Sequence, residues 1–312
     1  MSKSMSLTTR SMFSALGANV LFGFSFLFTK IALDYATPYV LLVCRFGIAL
    51  LVFSLFIFIG KARLNLRGKP WKYLLLLGLF QPVLYFLGET YGVLYTTSSF
   101  SAIMIALIPI ASLWASALIL KESPTTRQSF FCCLSVAGVI LVTATTNTGS
   151  NQLKGVLFLL LAVIADVAFN LTTRKLSQQF TAFERTFVMF CVGFAVFVSM
   201  MLVETGGSFR PVWDAFQISA FLVPILYLGI ASSVVAFFLI NYANTYLPVP
   251  RIVVFINVTT IISIFAGAVF LHEKLTTLSL LAVAIILLGI WGVQHYARRE
   301  TQTADISQLE DL

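Results

Sequence analysis

Residues 118–126 read LILKESPTT, and residues 269–277 read VFLHEKLTT. Sliding the chain by 151 positions lays one on the other without a gap: Glu122 falls on Glu273, Thr125 on Thr276 and Thr126 on Thr277. The same shift carries Ser112 onto Ser263, Ala115 onto Ala266, Gly78 onto Gly229, Tyr91 onto Tyr242, Tyr95 onto Tyr246 and Gly138 onto Gly289. A shift of 145 places Gly23 on Ala168, Ser25 on Asn170 and Lys30 on Lys175. Apolar segments resemble one another by chance, whereas polar residues and glycines recurring at one fixed shift are harder to dismiss. The chain reads as two copies of one unit.

Each copy is too apolar for water. Of 312 residues, 59% are hydrophobic and 10% charged, against about 45–50% and about 25% in soluble domains. Mean hydropathy is +0.96. The solvent for this surface is lipid, where about 20 apolar residues make one helical crossing. Apolar runs between charges and turn signals predict ten spans, at 11–31, 38–59, 72–91, 96–120, 127–146, 154–174, 185–204, 218–241, 248–271 and 277–296. The expected fold is an all-α integral membrane protein of ten transmembrane helices in two five-helix repeats. Five is odd, so the second repeat enters from the opposite side and the repeats are inverted, a plan common in secondary transporters. The expected boundaries are 1–146 for the first repeat, 147–298 for the second and 299–312 for a disordered cytoplasmic tail.

The net charge of +8 would suggest nucleic acid in a soluble domain. Here the cations sit in short loops. With a cytoplasmic N-terminus, 15 of the 20 Lys and Arg lie on that side; Lys30, Lys154, Arg210 and Lys274 lie on the other, and Arg45 lies within the second span. This asymmetry predicts both termini in the cytoplasm and a multi-pass protein of the plasma membrane, in bacteria the inner membrane. The N-terminus lacks a short apolar core followed by a small-residue cleavage site, so no cleaved signal peptide is expected. Nucleic acid is not an expected partner; the bilayer, a small-molecule substrate and a second copy of the chain are. The four cysteines lie in apolar segments without CxxC spacing, and the two histidines lie far from them. No metal or cofactor is expected.

The stretches GFSFLFTKIAL (23–33), YTTSSFSAIMIALIPIASLWASALILKES (95–123) and IFAGAVFLHEK (264–274) resemble the drug/metabolite transporter superfamily, in its EamA-type branch. The resemblance covers essentially the whole chain. It implies carriers of small metabolites, often moving them outward. One departure is Thr260 where the shift of 151 places Pro109, so any kink differs between halves.

A charge inside a span is costly, beginning at about 2.5–3.5 kcal/mol at the helix centre. Each intramembrane polar residue is therefore a candidate. Gln81, Tyr85 and Glu89 share one helix face, and Gln81 precedes Pro82, where a backbone carbonyl is freed. Glu89 either lines a central cavity or sits wet at the outer helix end. Asp166 is near mid-helix, with Asn170 one turn on. It suits a cavity and proton exchange, and the alternative is a structural pair, for example with Arg45. Asn19 serves a ligand or a neighbouring helix. Arg45 is an anion site or a structural pair, the second being preferred. Asn241 and Tyr242 form a gate or merely cap. Glu122 and Glu273 are assigned to turns. Asp166 and Glu89 are the candidates for proton coupling.

Two other classes compete. A membrane-embedded enzyme calls for clustered His, Cys or paired acids, yet HExxH and GxSxG are missing from the sequence. A receptor or channel calls for a sensing domain or a filter loop. Without a Walker motif, direct ATP drive is not expected. The expected activity is secondary transport, as an exporter, of amino acids or related zwitterionic or aromatic compounds, by alternating access and without catalytic residues.

Overall fold

The computed structural model describes residues 7–62, 64–120, 125–145, 150–176, 179–246, 255–274 and 276–310. Backbone amides in lipid have no water to bond, so each crossing must satisfy them within itself. Among the described residues every regular element is a helix. The helices are α1 (Leu7–Leu33), α2 (Pro38–Phe58), α3 (Lys72–Tyr95), α4 (Ser98–Ile105 and Ile108–Leu120), α5 (Thr126–Thr145), α6 (Ser150–Leu176) and α7 (Ala182–Glu204). They continue with α8 (Ser219–Leu226 running on through Phe237–Tyr246), α9 (Ile256–Phe270) and α10 (Thr277–Glu310). Among the described residues, six stretches are long and apolar enough to cross a membrane, within α1, α2, α3, α6, α7 and α8; shorter apolar helical stretches at 98–112, 126–141, 256–270 and 280–293 occupy the other four expected spans. The last helix takes in most of the segment read above as a disordered tail.

Helix ends follow local chemistry. Thr181 and Glu184 build a reciprocal capping box at the start of α7, with Thr181 Oγ1 accepting from the Glu184 amide at 3.2 Å and Glu184 Oε2 accepting from the Thr181 amide at 2.8 Å. In α2, Pro38 follows an extended Thr37. Both helices stop shortly before a glycine in left-handed conformation, Gly60 (φ 72°) and Gly206 (φ 64°). After α7 a short helix, Arg210–Gln217, carries an Arg210–Asp214 ion pair at 3.5 Å.

Packing respects the repeat. Exchanging the halves exchanges α3 with α8 and α1 with α6. The α3–α6 contact then becomes the α8–α1 contact, and both are extensive. The α3–α7 contact likewise becomes α8–α2, while α2–α7, α4–α9 and α5–α10 map onto themselves. Two glycines related by the shift of 151 show this at atomic scale. A methyl group on Gly78 of α3 would press on Val192 of α7, and one on Gly229 of α8 would press on Ile48 of α2. The outer surface is apolar, with Phe58, Val203 and Phe238 facing outward, as a lipid-facing surface requires.

Candidate functional site

α3 and α8 do not cross the bundle as regular helices. α3 is kinked within Leu79–Leu84, where Gln81 leaves helical geometry altogether (φ −140°, ψ 118°) and the Gln81–Pro82 peptide is cis. α8 widens over Tyr227–Ala236. Moving the first segment by 151 positions gives 230–235, inside the second. Both repeats therefore interrupt the same helix at the same place. Such interruptions take backbone groups out of the regular helical bonding, and wide turns like that of α8 recur at functional sites. Gln81 and Pro82 of the first repeat correspond to Ser232 and Ser233 of the second.

Those serines hold a buried cation. Arg45 of α2 is 1% exposed. Its Nε donates to Ser233 Oγ at 3.0 Å and its Nη2 donates to Ser232 Oγ at 3.1 Å. The guanidinium lies over the Phe86 ring, 4.3 Å from its centre. Its remaining nitrogen, Nη1, is 3.9 Å from Oε2 of Glu89, which is 2% exposed. Glu89 is thus buried and paired, and the wet-end alternative is corrected. The reason is that α3 continues to Tyr95 rather than ending at 91, which places Glu89 well inside the helix. Arg45 pairs with Glu89 rather than Asp166. Tyr85 and Tyr227 lie within electrostatic reach of Arg45. Tyr227 donates to the Leu21 carbonyl at 2.9 Å and stacks on Phe28 at 4.2 Å, which ties α8 to α1.

Tyr85 and Asp166 are half-buried, and Tyr85 is within electrostatic reach of Glu89, Asp166 and Arg45. Asn170, exposed, donates to Asp166 Oδ2 at 2.7 Å. Gln81 is buried in the break of α3, with its Oε1 unpartnered. Glu89, Tyr85, Gln81, Asp166 and Asn170 therefore gather around one region between the repeats.

Other candidates lie elsewhere. Asn19 is buried: its Nδ2 donates to the Ala15 carbonyl one turn back in its own helix at 2.8 Å, and Thr259 Oγ1 of α9 donates across to its Oδ1 and backbone oxygen at 3.0 Å. Tyr242 packs on Tyr246 with ring centres 5.0 Å apart. The side chain of Asn241 lies outside the described residues, as does Glu122.

Sequence reasoning missed Ser232, Ser233 and Tyr227, and weighed Arg45 toward structure alone. A signal existed for Arg45. It is the basic residue the charge count leaves within a span, and a buried cation demands an anion. Lys30 was also missed. Its Nζ donates to the carbonyls of Val93 (2.8 Å), Leu94 (3.4 Å) and Thr96 (2.7 Å), a cation on the C-terminal end of α3. Just beyond, Glu273 accepts from the amides of Ser98 (2.8 Å) and Ser99 (3.1 Å) at the start of α4. It caps that helix from the other repeat, with Thr97 Oγ1 accepting from Phe100 at 3.1 Å. The turn assignment made for Glu273 thus becomes a cap on a distant helix.

The family model for the "EamA-like transporter family" matches residues 9–144 and again 153–294, one match in each half. The chain is 35% identical over 298 residues to "Uncharacterized transporter YcxC" of Bacillus subtilis (strain 168), covering 94% of this chain and 96% of that one. An "Uncharacterized transporter" of Archaeoglobus fulgidus is 22% identical over 274 residues, covering 87% of this chain and 94% of its own. A protein of known crystal structure shares the fold at 16% identity and a TM-score of 0.64, over 91% of this chain and 97% of the other. Two matching repeats, all-helical spans and full-length relatives named as transporters agree: the chain belongs to the EamA-like transporter family.

Proposed function

We propose that this membrane transporter is a secondary carrier that exports small metabolites, amino acids or related zwitterionic and aromatic compounds, by alternating access. The observation that carries the reading is the meeting of polar groups from both repeats between helices that are both interrupted. The first repeat brings Arg45, Glu89 and Tyr85, and the second brings Ser232, Ser233, Tyr227 and Asp166. Interrupted helices around a site between inverted repeats are how secondary transporters place binding groups within the membrane. Cation and anions side by side suit a zwitterion, and Tyr85, Phe86 and Tyr227 suit an aromatic group. Asp166 and Glu89 are the candidates for proton coupling. The repeats divide at 1–146 and 147–298, and the Lys and Arg distribution supports cytoplasmic termini in a bacterial inner membrane.

The test is counterflow of labelled amino acids in proteoliposomes holding the purified protein. Exchange driven by internal unlabelled substrate is expected, and it separates a carrier from a channel, receptor or enzyme. Asp166→Asn is expected to abolish it. Normal flux in well-inserted Asp166→Asn protein removes Asp166 from the mechanism.

A further inference from the structure

The Arg45–Glu89 pair is buried but loosely made. Nη1 and Oε2 face each other at 3.9 Å, beyond hydrogen-bond range, and neither has a hydrogen-bond partner among the described residues. Elsewhere the guanidinium is fixed, with two nitrogens bonded to Ser232 and Ser233 and its face over Phe86. It cannot rotate to close the gap without giving up those contacts. A free guanidinium edge in such a setting matches the two oxygens of a carboxylate.

The pair is not required to build the repeat. Glu89 falls on Ile240 at the shift of 151, and the shift of 144 that lays Thr37 on Thr181 lays Arg45 on Met189. The second repeat builds the same helices with an apolar residue at each position. A charged pair that the fold does not need, left short of hydrogen bonding and bordering the region of Tyr85 and Asp166, is placed for recognition.

We propose that the Nη1 edge of Arg45 is a carboxylate-binding subsite, and that Glu89 is the resident anion that neutralises it when the site is empty. A substrate carboxylate takes the place of Glu89 on Arg45, and the ammonium of a zwitterion then faces Asp166. The subsite's part in transport rests on the reading above, whereas binding itself can be measured without turnover.

The test is rescue of a missing carboxylate. Full-length Glu89→Ala protein in lipid nanodiscs is titrated with propionate, with neutral propionamide as its isostere, while thermal unfolding is followed. Propionate at about ten times its half-saturating concentration is expected to raise the Tm of this variant by about 2–4 °C. Propionamide is expected to leave it unmoved, and a double variant, Arg45→Met with Glu89→Ala, is expected to respond to neither. Glu89→Gln, which keeps the side-chain volume, is the companion should Glu89→Ala fail to fold, with the same expectation. Equal effects of propionate and propionamide, or a propionate effect that survives loss of Arg45, overturn the proposal. Counterflow reports separately: propionate rescue without amino-acid counterflow counts against the transport reading and leaves the subsite standing, and the reverse overturns the subsite alone.

Discussion

α3 and α8 are the same helix written twice, and they differ where it matters. Both are interrupted midway, and both carry a glycine at the matching position, Gly78 just before the kink of α3 and Gly229 within the wide segment of α8, against the paired helix of the other half. Yet α3 holds Glu89 where α8 holds Ile240, and α8 holds Ser232 and Ser233 where α3 holds Gln81 and Pro82. What is shared is shape: close approach, interruption and paired tyrosines. What differs is charge and hydrogen bonding. The shared features belong to a scaffold that both halves must build, and the unshared ones are free to serve a ligand.

The comparison can be broken most severely at the charges. Arg45→Met alone leaves Glu89 buried without a cation and is expected to cost about 3–5 kcal/mol, read as a large drop in Tm in nanodiscs. Arg45→Met together with Glu89→Ile writes the second repeat's residues into the first, and is expected to recover most of that loss while carrying no substrate in counterflow. A double variant as unstable as the single one shows that the pair does build the fold.

The scaffold is tested at the glycines. Alanine at Gly78 places a carbon 2.8 Å from Val192 Cβ, and alanine at Gly229 places one 2.7 Å from Ile48 Cβ. Each is expected to cost about 1–3 kcal/mol through overpacking. The two losses in thermal stability should be similar. A large loss at one and none at the other shows that the contacts are not equivalent.

The smallest effect is expected at a third asymmetry. Asn19 and Thr259 bond α1 to α9, while the positions related to them by the shifts of 145 and 151 are Ile164 and Ile108. Thr259→Val removes the bond and keeps the shape, so it is expected to cost about 0.6 kcal/mol and to leave flux intact. Loss of flux with stability preserved would move Asn19 from helix packing into the binding site.

The spans, the repeat and the break at Pro82 were legible in the sequence because each is written along the chain, as an apolar run, a fixed shift or a ring without an amide hydrogen. The break in α8 was not. Its wide segment Tyr227–Ala236 contains no proline, and ordinary residues give no local sign of a wide turn. Pairing across helices was also illegible. Four-residue spacing put Gln81, Tyr85 and Glu89 on one face, but spacing does not say which helix that face meets. Glu89 was read as wet or lining a cavity because a helix end cannot be placed to within a turn from hydropathy. One further turn of α3, out to Tyr95, carries it into the interior. Asp166 and Asn170 were legible together because their partnership is local.

The stretch from Val93 to Ser99 is gripped by both repeats, at its carbonyls by Lys30 and at its amides by Glu273. The grips sit on either side of one turn, so the end of α3 and the start of α4 form a single latch. Any tilt of α1 strains the first grip, and any tilt of α9 or α10 strains the second. If the helices rock as the proposed carrier cycle requires, that end of the bundle would have to open in one concerted event, because the wiring of the turn penalises half-opened helices.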